Sequence, residues 1–436
     1  MSGQRRPHVL LLGMQFPPAR GSGVYRIRAW AHHLVEQGYD VTVLATNRDY
    51  WERMSGSLDD DLASRTDPRI KVIEIEFPHE HLIQDVRHMS WLHANFPRAF
   101  LLTHKLIQTK GFPEAYAPMI PTYLAHALAV HRKHRVDMVL ASGNPYALYA
   151  VAWAFHKITR RPYVLDYHDP WTLDVLTEQD KFPRTHLVHT WERRVIKDAA
   201  RVITVNEPLC QWYRDRYPEA ADRVRRVDLG LAPDVLTEPT FEPSAGRPLR
   251  FGFLGTVRHD LPIEEFLLGW DLARREPQMS DATMNFYGYL GFFSRHEGVI
   301  GKRLAEGAEQ GVLYHGPVSQ TRIMETFSTL DALVLMLPSS KYMTAGKGFD
   351  YMASGRPVVG VFHPRNQTTE LMSGYPLYVG ATGVEPEAIA QALVATAKLA
   401  RSQTHAEFEE ARAVGLAHTW DAAMAPVSAE FKEIIA

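Results

Sequence analysis

The chain has 436 residues, of which 45% are hydrophobic and 22% charged, and its formal net charge is −2. These values match an ordinary globular protein of two or three domains at roughly 100–200 residues each. They argue against a dedicated nucleic-acid-binding protein, which normally carries a basic excess.

The N-terminus and the cysteine content bear on the compartment. Cys210 is the only cysteine, so no intramolecular disulfide can form and a reducing compartment is favoured. The apolar run Val9–Met14 is too short for the core of a signal peptide, and no stretch reaches the ~18 apolar residues of a membrane-spanning helix. We therefore expect a cytoplasmic protein.

The first half of the chain alternates apolar strands with helical patterns. Residues 8–14 form a continuous apolar run, residues 24–37 have helical spacing up to Gly38, and residues 40–46 form the next apolar run. This order predicts a βαβ unit with strands buried on both faces. Further strands are predicted at 137–142, 163–169, 201–206 and 223–231.

A proline-rich segment, residues 237–249, precedes a second alternation of the same kind. The fold class is therefore predicted to be α/β, with two Rossmann-like, doubly wound lobes. We expect a first domain at 1–236, a linker at 237–249 and a second domain at 250–417. The second domain is predicted to have strands at 250–255, 284–289, 312–316, 332–337 and 357–362, with a helix at 262–275.

Residues 78–125 interrupt the alternation of the first lobe. The segment combines large apolar residues with basic ones, namely Trp91, Phe96, Phe100, Leu101, Leu102, Phe112 and Tyr116 with Arg87, Arg98, Lys105 and Lys110. It is interpreted as a helical cap with its own small core, as an acceptor-binding element, or as an amphipathic surface for a membrane.

A small-residue loop follows the first predicted strand. Gly21 and Gly23 stand where an open α/β sheet binds ligands, and they would let the backbone approach a phosphate at a helix N-terminus. A dinucleotide fingerprint is broken, because Arg26 replaces its third glycine and Thr46 follows where an acid is needed. The loop is therefore interpreted either as an anion site or as a simple turn.

A second loop of this type follows the strand at 332–337. The small residues Thr344, Ala345 and Gly346 and the cation Lys347 stand at the start of a short predicted helix. The acid Asp350 follows about one turn later. Unpaired amides at the helix start would bind a phosphate, and the carboxylate could accept hydrogen bonds from ribose hydroxyls. The alternative is a surface loop and a capped helix, with the acid complementing the helix dipole.

The stretch LPSSKYMTAGKGFDYMASGRPVV, which contains these residues, resembles the donor-binding signature of the retaining glycosyltransferases of family 4, which have the GT-B fold. Asp350 replaces the usual second glutamate, and Tyr342 replaces the first acid. The opening FPPARGSGVYRIRAWAHHLVEQGYDVTVLAT is similar to that of the same family. In FLGTVRHD, Gly255 matches, while Thr256 replaces the usual basic residue and leaves Arg258 as its substitute.

This resemblance implies a nucleotide-diphospho sugar held in a central cleft between two lobes, with residues 418–436 returning to the first lobe through Trp420. It implies no metal and no other cofactor, since Arg258, Lys347 and helix N-termini would stabilise the leaving diphosphate. The implied donor-binding residues are Gly21, Gly23, Gly255, Val318, Thr344, Ala345, Gly346 and Asp350. The segment 314–320 would read the base.

Polar residues also end the predicted strand at 163–169. His168 and Asp169 are predicted to be catalytic near the sugar and the acceptor, and Tyr25 and Trp171 to bind the acceptor. A purely structural histidine–acid pair is the alternative. The spacing matches no zinc pattern, no nucleophile elbow is present, and the acidic run Asp59–Asp61 is interpreted as solvated surface.

The predicted activity is hexosyltransferase-type transfer, with retention, from a UDP- or GDP-sugar to a hydroxyl- or thiol-bearing small metabolite. The alternatives are an envelope polysaccharide or lipid-linked acceptor with peripheral membrane contact, and a catalytically altered protein that only binds nucleotide sugars. A nicotinamide-dependent dehydrogenase is disfavoured by the broken fingerprint, and no nucleic-acid partner is expected.

Overall fold

The computed structural model describes residues 5–55, 58–79, 82, 89–244, 246–291, 297–319 and 322–435. These residues form two compact units. The first comprises Met1–Asp174, Gln179–Asp228 and Trp420–Ala436, and the second comprises Val175–Glu178 and Leu229–Thr419.

The first unit is built on a parallel sheet. The strands of this sheet are β1 (His8–Leu12), β2 (Asp40–Thr46), β3 (Lys71–Ile75), β4 (Met138–Gly143), β5 (Tyr163–Tyr167), β8 (Arg201–Thr204) and β9 (Val224–Arg226). A separate antiparallel ribbon consists of β6 (Leu173–Asp174) and β7 (Gln179–Asp180). The sheet order is β3-β2-β1-β4-β5-β8-β9. Every residue of β1, β4 and β5 is buried, as expected of central strands covered on both faces.

Helices connect these strands. They are α1 (Ser22–Glu36), α2 (Arg48–Ser55), α3 (Asp60–Ser64), α4 (Trp91–Asn95), α5 (Pro97–Lys110), α6 (Met119–Lys133), α7 (Ala147–Thr159), α8 (Leu187–Asp198) and α9 (Glu207–Arg216), with a 3-10 helix at Pro218–Arg223. The loop of residues 13–21 connects β1 to α1, which places the start of this helix at the carboxyl end of the sheet.

The second unit repeats the architecture on a smaller parallel sheet, of order β12-β11-β10-β13-β14-β15. Its strands are β10 (Arg250–Leu254), β11 (Thr283–Tyr287), β12 (Val312–Gly316), β13 (Ala332–Met336), β14 (Val358–Val361) and β15 (Tyr378–Gly380). Its helices are α10 (Ile263–Ala273), α11 (Glu297–Glu306), α12 (Ile323–Ser328), α13 (Gly346–Ala353), α14 (Thr368–Ser373), α15 (Pro386–Ser402) and α16 (His405–Leu416). Helix α13 follows the carboxyl end of β13.

The chain ends with α17 (Trp420–Ala429) and α18 (Phe431–Ile435), which belong to the first unit. The buried ring of His33 on α1 contacts Asp421 Oδ1 through Nδ1 and Ser428 Oγ through Nε2, each at 2.8 Å. The ring of Trp30 stacks on Phe431 at 5.8 Å between centroids. The predicted return of the C-terminus to the first lobe is therefore confirmed.

The α/β class and the two Rossmann-like sheets are confirmed, whereas several details differ from the prediction. Strands β3 and β15 were not predicted, and the strand expected at 223–231 is confined to Val224–Arg226. The interpretation of Asp59–Asp61 as solvated surface is wrong for Asp59, which is buried and caps α3 by accepting a hydrogen bond from the Leu62 N–H at 3.0 Å. In a short polar loop before a helix, the sequence alone does not indicate which acidic side chain is buried as the helix cap.

The interruption at 78–125 contains α4, α5 and the start of α6; residues 80–81 and 83–88, including Arg87, lie outside the described residues. Its C-terminal part is structural, since Phe112 is buried against Trp171 at 5.3 Å between ring centroids. Glu114 accepts hydrogen bonds from the Tyr146 and Ala147 amides at the start of α7, at 2.9 and 2.6 Å. Within the described ranges, no helix is both long and apolar enough to cross a bilayer.

Candidate functional site

The loop after β1 brings Gly23 close to His168, and both residues were predicted to belong to the site. Gly21 caps α1 with a φ of +151°, a conformation that L side chains rarely adopt. A β-carbon on Gly23 would lie 2.7 Å from Gln15 Oε1 and 3.9 Å from His168 Cε1. The small residues of this turn are therefore needed for close approach, and they place the start of α1 beside His168.

The ring of His168 is hydrogen-bonded to Ser142 at the end of β4. Its Nε2 lies 2.6 Å from Ser142 Oγ, and Ser142 Oγ donates to Asp166 Oδ2 at 3.1 Å. Because the serine hydroxyl donates to the carboxylate, it can only accept from the ring, which puts the proton of a neutral His168 on Nε2. The lone pair of Nδ1 is then left to accept a hydrogen bond from a bound hydroxyl.

Asp166 is the buried centre of this network. Arg26 donates to its carboxylate through Nε at 3.0 Å and Nη2 at 2.7 Å, and Trp30 Nε1 donates at 3.2 Å. Burial by itself raises the pKa of Asp166, but the charge of Arg26 and the hydrogen bond with His168 hold it well below the usual range. Asp166 is therefore a fixed negative charge that orients Ser142 and, through it, His168.

The other predicted residues of the first unit have different surroundings. Asp169 is exposed, and its carbonyl accepts a hydrogen bond from Tyr146 Oη at 3.1 Å. Trp171 is only 3% exposed and stacks on Tyr146 at 5.0 Å, so it offers little surface to an acceptor. Tyr25 is half-buried on α1. The assignments of these three residues stay predictions.

In the second unit, Lys347 lies against the end of β10. Its Nζ is 4.0 Å from the centroid of the Phe253 ring and 3.2 Å from where a β-carbon on Gly255 would stand. Gly255 has a φ of +143°. A larger residue there would both strain the backbone and push the ammonium group aside.

The electrostatics around Lys347 are unusual for a lysine. Burial, together with the charge of Arg258, lowers its pKa to about 7, against the opposing effect of Asp260. Arg258 is itself paired with Asp260, to which its Nε donates at 3.0 Å. The structure thus brings Gly255, Arg258 and Lys347 together as predicted, and it adds Asp260, which sequence analysis did not include.

Helix α13 is fixed to β10 by a buried tyrosine one turn after Lys347. Tyr351 Oη accepts a hydrogen bond from the Leu254 amide at 2.8 Å. At the helix start, the Ala345 amide donates to Thr368 Oγ1 at 3.2 Å, and Gly346 is exposed. Thr344 and Asp350 are half-buried. The small residues therefore leave the helix N-terminus accessible while Tyr351 sets its orientation.

The segment predicted to read the base leaves β12. The His315 ring stacks on Tyr287 with centroids 4.6 Å apart, and its Nε2 lies 2.9 Å from Asn285 Oδ1. Val318 is half-buried, and Gln320 lies outside the described residues. Sequence analysis missed Tyr287 and Asn285, although both lie on β11, next to β12.

Sequence analysis also missed the roles of Arg26 and Ser142. An acid within the apolar strand β5 was a usable signal, since a buried carboxylate requires a partner, but the pattern alone does not identify Arg26 as that partner. Within the described ranges, no group of three or more His, Cys, Asp or Glu residues is arranged to hold a metal ion.

Residues 21–230 match the family model described as the glycosyl transferase 4-like domain. The sequence has no significant match among curated proteins. Solved structures match over nearly the whole chain at low identity, so they show the fold, which is GT-B. Sucrose-phosphate synthase from Thermosynechococcus elongatus is 16% identical with a TM-score of 0.63, covering 98% of this chain and 99% of that chain.

Two further structures give the same result. HepE from Anabaena in complex with UDP is 14% identical with a TM-score of 0.60, covering 98% of this chain and 100% of that chain. A glycosyltransferase from Rickettsia africae is 14% identical with a TM-score of 0.61, covering 99% of each chain.

Proposed function

We propose that this chain, which has the GT-B fold and matches the glycosyl transferase 4-like domain over residues 21–230, is a glycosyltransferase whose donor is a nucleoside diphosphate sugar. The sugar is transferred to a hydroxyl- or thiol-bearing acceptor with retention of anomeric configuration. Retention follows from the resemblance to the retaining enzymes of family 4.

The observation that carries this proposal is the environment of Lys347. No carboxylate of the described residues lies within 4.0 Å of its Nζ, although the group is largely removed from water. An ammonium group without a counter-ion is unfavourable in such a place, which is why its pKa is lowered. Perturbed groups of this kind are typical of functional sites, and a diphosphate would supply the missing negative charge.

The chemistry at this position is the departure of the diphosphate. Negative charge grows on the leaving oxygen as the anomeric bond breaks, and preorganised donors aimed at that charge usually make the largest catalytic contribution. Lys347, Arg258 and the backbone amides of Gly346 and Lys347 at the start of α13 would provide such donors without a metal ion. Asp350, one turn into α13, is proposed to accept hydrogen bonds from the ribose.

In the first unit, His168 is proposed to meet the sugar or the acceptor. Its Nδ1 has no hydrogen-bond partner among the described residues, whereas Nε2 is engaged by Ser142. A neutral ring with the proton on Nε2 accepts a hydrogen bond at Nδ1, which suits a sugar or acceptor hydroxyl. Asp169, exposed at the same loop, is the second candidate for taking the acceptor proton.

The nucleotide is proposed to be UDP rather than GDP, supported by the HepE structures, which were solved with UDP and with UDP-glucose. Isothermal titration with UDP, 2′-deoxy-UDP and GDP tests this together with the role of Asp350. We expect wild type to prefer UDP over both others, and Asp350→Ala to lose the preference for the 2′-hydroxyl. Binding of no nucleotide tighter than ~1 mM, about −4 kcal/mol, would overturn the proposal.

Two acceptor classes are distinguished by one experiment. The neutral chain favours a small metabolite, whereas the exposed apolar helices α4 and α5 favour an acceptor in a lipid environment. Donor hydrolysis and product formation are measured with soluble glycoside acceptors and with lipid-linked acceptors in vesicles. Donor binding without turnover on either class would favour a nucleotide-sugar-binding protein, consistent with Thr256 and Tyr342 at positions where the family has charged residues.

A further inference from the structure

We propose that helices α4 and α5 form a docking surface for a lipid bilayer that carries anionic headgroups. This α4–α5 surface consists of Trp91, Leu92, Phe96, Leu101, Leu102 and Leu106 together with Arg98 and Lys105. The proposal is independent of the donor chemistry, because it concerns a different part of the first unit and makes no use of the nucleotide.

The first observation is the exposure of large apolar side chains. Trp91 is 70% exposed, Leu102 67% and Leu106 61%, and Leu92, Phe96 and Leu101 are more than half exposed. Single exposed apolar residues are ordinary, but six within sixteen consecutive positions (Trp91 to Leu106) make an exposed apolar patch along the chain. Such patches mark surfaces that are covered by a partner or a membrane.

The second observation is the exposure of the α5 side chains that the structure describes. At every position of α5 whose side chain is described, which are residues 97–99, 101, 102, 105 and 106, the side chain is exposed. Helices of this length are marginal in water unless an apolar face is packed against something else. An apolar environment that covers Leu102 and Leu106 would stabilise the helix.

The third observation is the charge of this segment. From Val86 to Pro113 the sequence contains no Asp or Glu, while it contains Arg87, Arg98, Lys105 and Lys110. The whole chain has 48 basic and 50 acidic side chains, so a stretch with basic residues alone is unusual for it. A surface with cations and no anions complements an anionic bilayer, where each Lys or Arg adds roughly 1 kcal/mol.

The type of membrane contact follows from the length and composition of the helices. Helix α5 has 14 residues, fewer than the ~20 needed to span the hydrocarbon core, so it would lie in the interface plane. Trp91 packs edge-on against Phe96, with ring centroids 5.9 Å apart. Tryptophan favours the boundary between headgroups and acyl chains, which makes this pair suited to the rim of an inserted surface.

A protein partner fits these observations less well. A protein-binding site is normally rimmed by polar groups of both signs that select one partner. The α4–α5 surface contains no acid, and its exposed residues Leu101, Leu102 and Leu106 lie on the same helix as Arg98 and Lys105. It is therefore better matched to a fluid, uniformly anionic surface than to one shaped partner.

The test is flotation of the full chain with vesicles of phosphatidylcholine alone or mixed with phosphatidylglycerol. We expect firm binding to the mixed vesicles, weakened by salt, and little binding to phosphatidylcholine. Replacing Leu101, Leu102 and Leu106 with Gln should abolish binding. The variant Arg98→Gln with Lys105→Gln should weaken it about fivefold per charge removed.

Matched controls separate docking from folding. Ile158→Gln and Leu268→Gln alter exposed apolar residues elsewhere and should float like wild type. Circular dichroism melting of every variant verifies the fold without relying on nucleotide binding. Quenching of tryptophan fluorescence by brominated lipids should occur in wild type and be largely lost in Trp91→Phe.

Two flotation results would overturn the proposal, and one result of analytical ultracentrifugation would also do so. One is wild-type protein that floats with neither vesicle type, and the other is a triple-Gln variant that floats as well as wild type. If wild type instead self-associates in analytical ultracentrifugation and the triple-Gln variant is monomeric, the surface is a protein interface and the membrane assignment is wrong.

Discussion

The ammonium group of Lys347 lies 4.0 Å from the ring centroid of Phe253, on the side of the ring that borders Gly255. The aromatic face offers a partial counter-charge that does not neutralise the lysine. Burial and the charge of Arg258 lower the pKa of Lys347 to about 7, so only a fraction of the molecules carries the positive charge near neutral pH.

This pKa predicts how donor affinity depends on pH. A bound diphosphate favours the charged ammonium and raises its pKa, so binding takes up a proton above pH 7. We expect the Kd for UDP-glucose to rise between pH 7 and 9 by up to about tenfold per pH unit, measured by titration calorimetry. Lys347→Arg, always charged, should remove this pH dependence, and Lys347→Met should bind weakly at every pH. A wild-type Kd that stays constant over this range would contradict the assignment.

The second prediction concerns the orientation of His168. Ser142→Ala removes the 2.6 Å contact that holds Nε2, so the ring loses its orientation while the donor site in the second unit is untouched. We expect kcat to fall about tenfold with little change in KM for the donor, because the change removes the hydrogen bonds of the serine hydroxyl with His168 and Asp166. In a His168→Ala background the same change should have no further effect, because the two residues act as a unit. Ser64→Ala, on the exposed helix α3, is the control.

The third prediction concerns the buried pair of Arg26 and Asp166. Asp166→Asn leaves the guanidinium of Arg26 buried without a counter-charge, which typically costs about 3–5 kcal/mol of the free energy of unfolding. Replacing both residues together, by Met and Leu, should cost much less than the single change. Urea unfolding measures both, and Glu52→Gln, which breaks an exposed ion pair on α2, should show no measurable loss. Equal losses for the single and double variants would argue against an electrostatic cause.

The fourth prediction concerns Glu192, which is fully buried and accepts hydrogen bonds from Thr172 Oγ1 at 2.5 Å and Tyr217 Oη at 2.6 Å. Burial raises its pKa from 4.5 to about 7, although these donors partly oppose the shift. The folded state therefore holds a proton that the unfolded state releases. Its contribution to stability is present at pH 4.5 and is lost as pH rises towards 7.

The measurement compares wild type with Glu192→Gln, which cannot ionise. Relative to the variant, wild type should lose about 3 kcal/mol of unfolding free energy between pH 4.5 and 7. Because two units unfold in this chain, hydrogen exchange in peptides from β5 and β8 reports the first unit by itself. Any remaining slope shared by both proteins is expected from Glu114, whose pKa burial also raises to about 7. A difference independent of pH would show that Glu192 is ionised throughout.

Much of the fold could be predicted from local patterns. Strand β2 was predicted at its observed bounds because a parallel strand covered on both faces is a continuous or nearly continuous apolar run, and six of its seven residues are buried. Strand β12 was also predicted at its observed bounds, although it is an edge strand with three of its five residues exposed. Strand β15, with three residues at the sheet edge, was missed because it is short and only half-buried. The strand predicted at 223–231 was too long, since apolar alternation continues after the pairing with β8 ends at Arg226.

The residues of the candidate site also divide into those that were predicted from the sequence and those that were not. Gly23, Lys347 and Asp350 were predicted because loops at the carboxyl ends of parallel strands bind ligands, so their position in the chain order was informative, whereas Gly255 was predicted from the resemblance of FLGTVRHD to family 4. Asp260 was given no role although it ends the stretch FLGTVRHD, and Ser142 was given none because it lies within an apolar strand; each acts through a neighbour. Their roles depend on side chains that lie close in space after folding.

The amino-acid sequence by itself determined the alternation of strands and helices, the two sheets and the loops at their carboxyl ends, because periodicity and turn residues act over short distances. Only the tertiary structure decided that Arg26 pairs with Asp166 across 140 positions of the chain, and that the ammonium group of Lys347 lies against Gly255 and the Phe253 ring. Electrostatic partners are chosen by distance and burial, and both are properties of the folded chain.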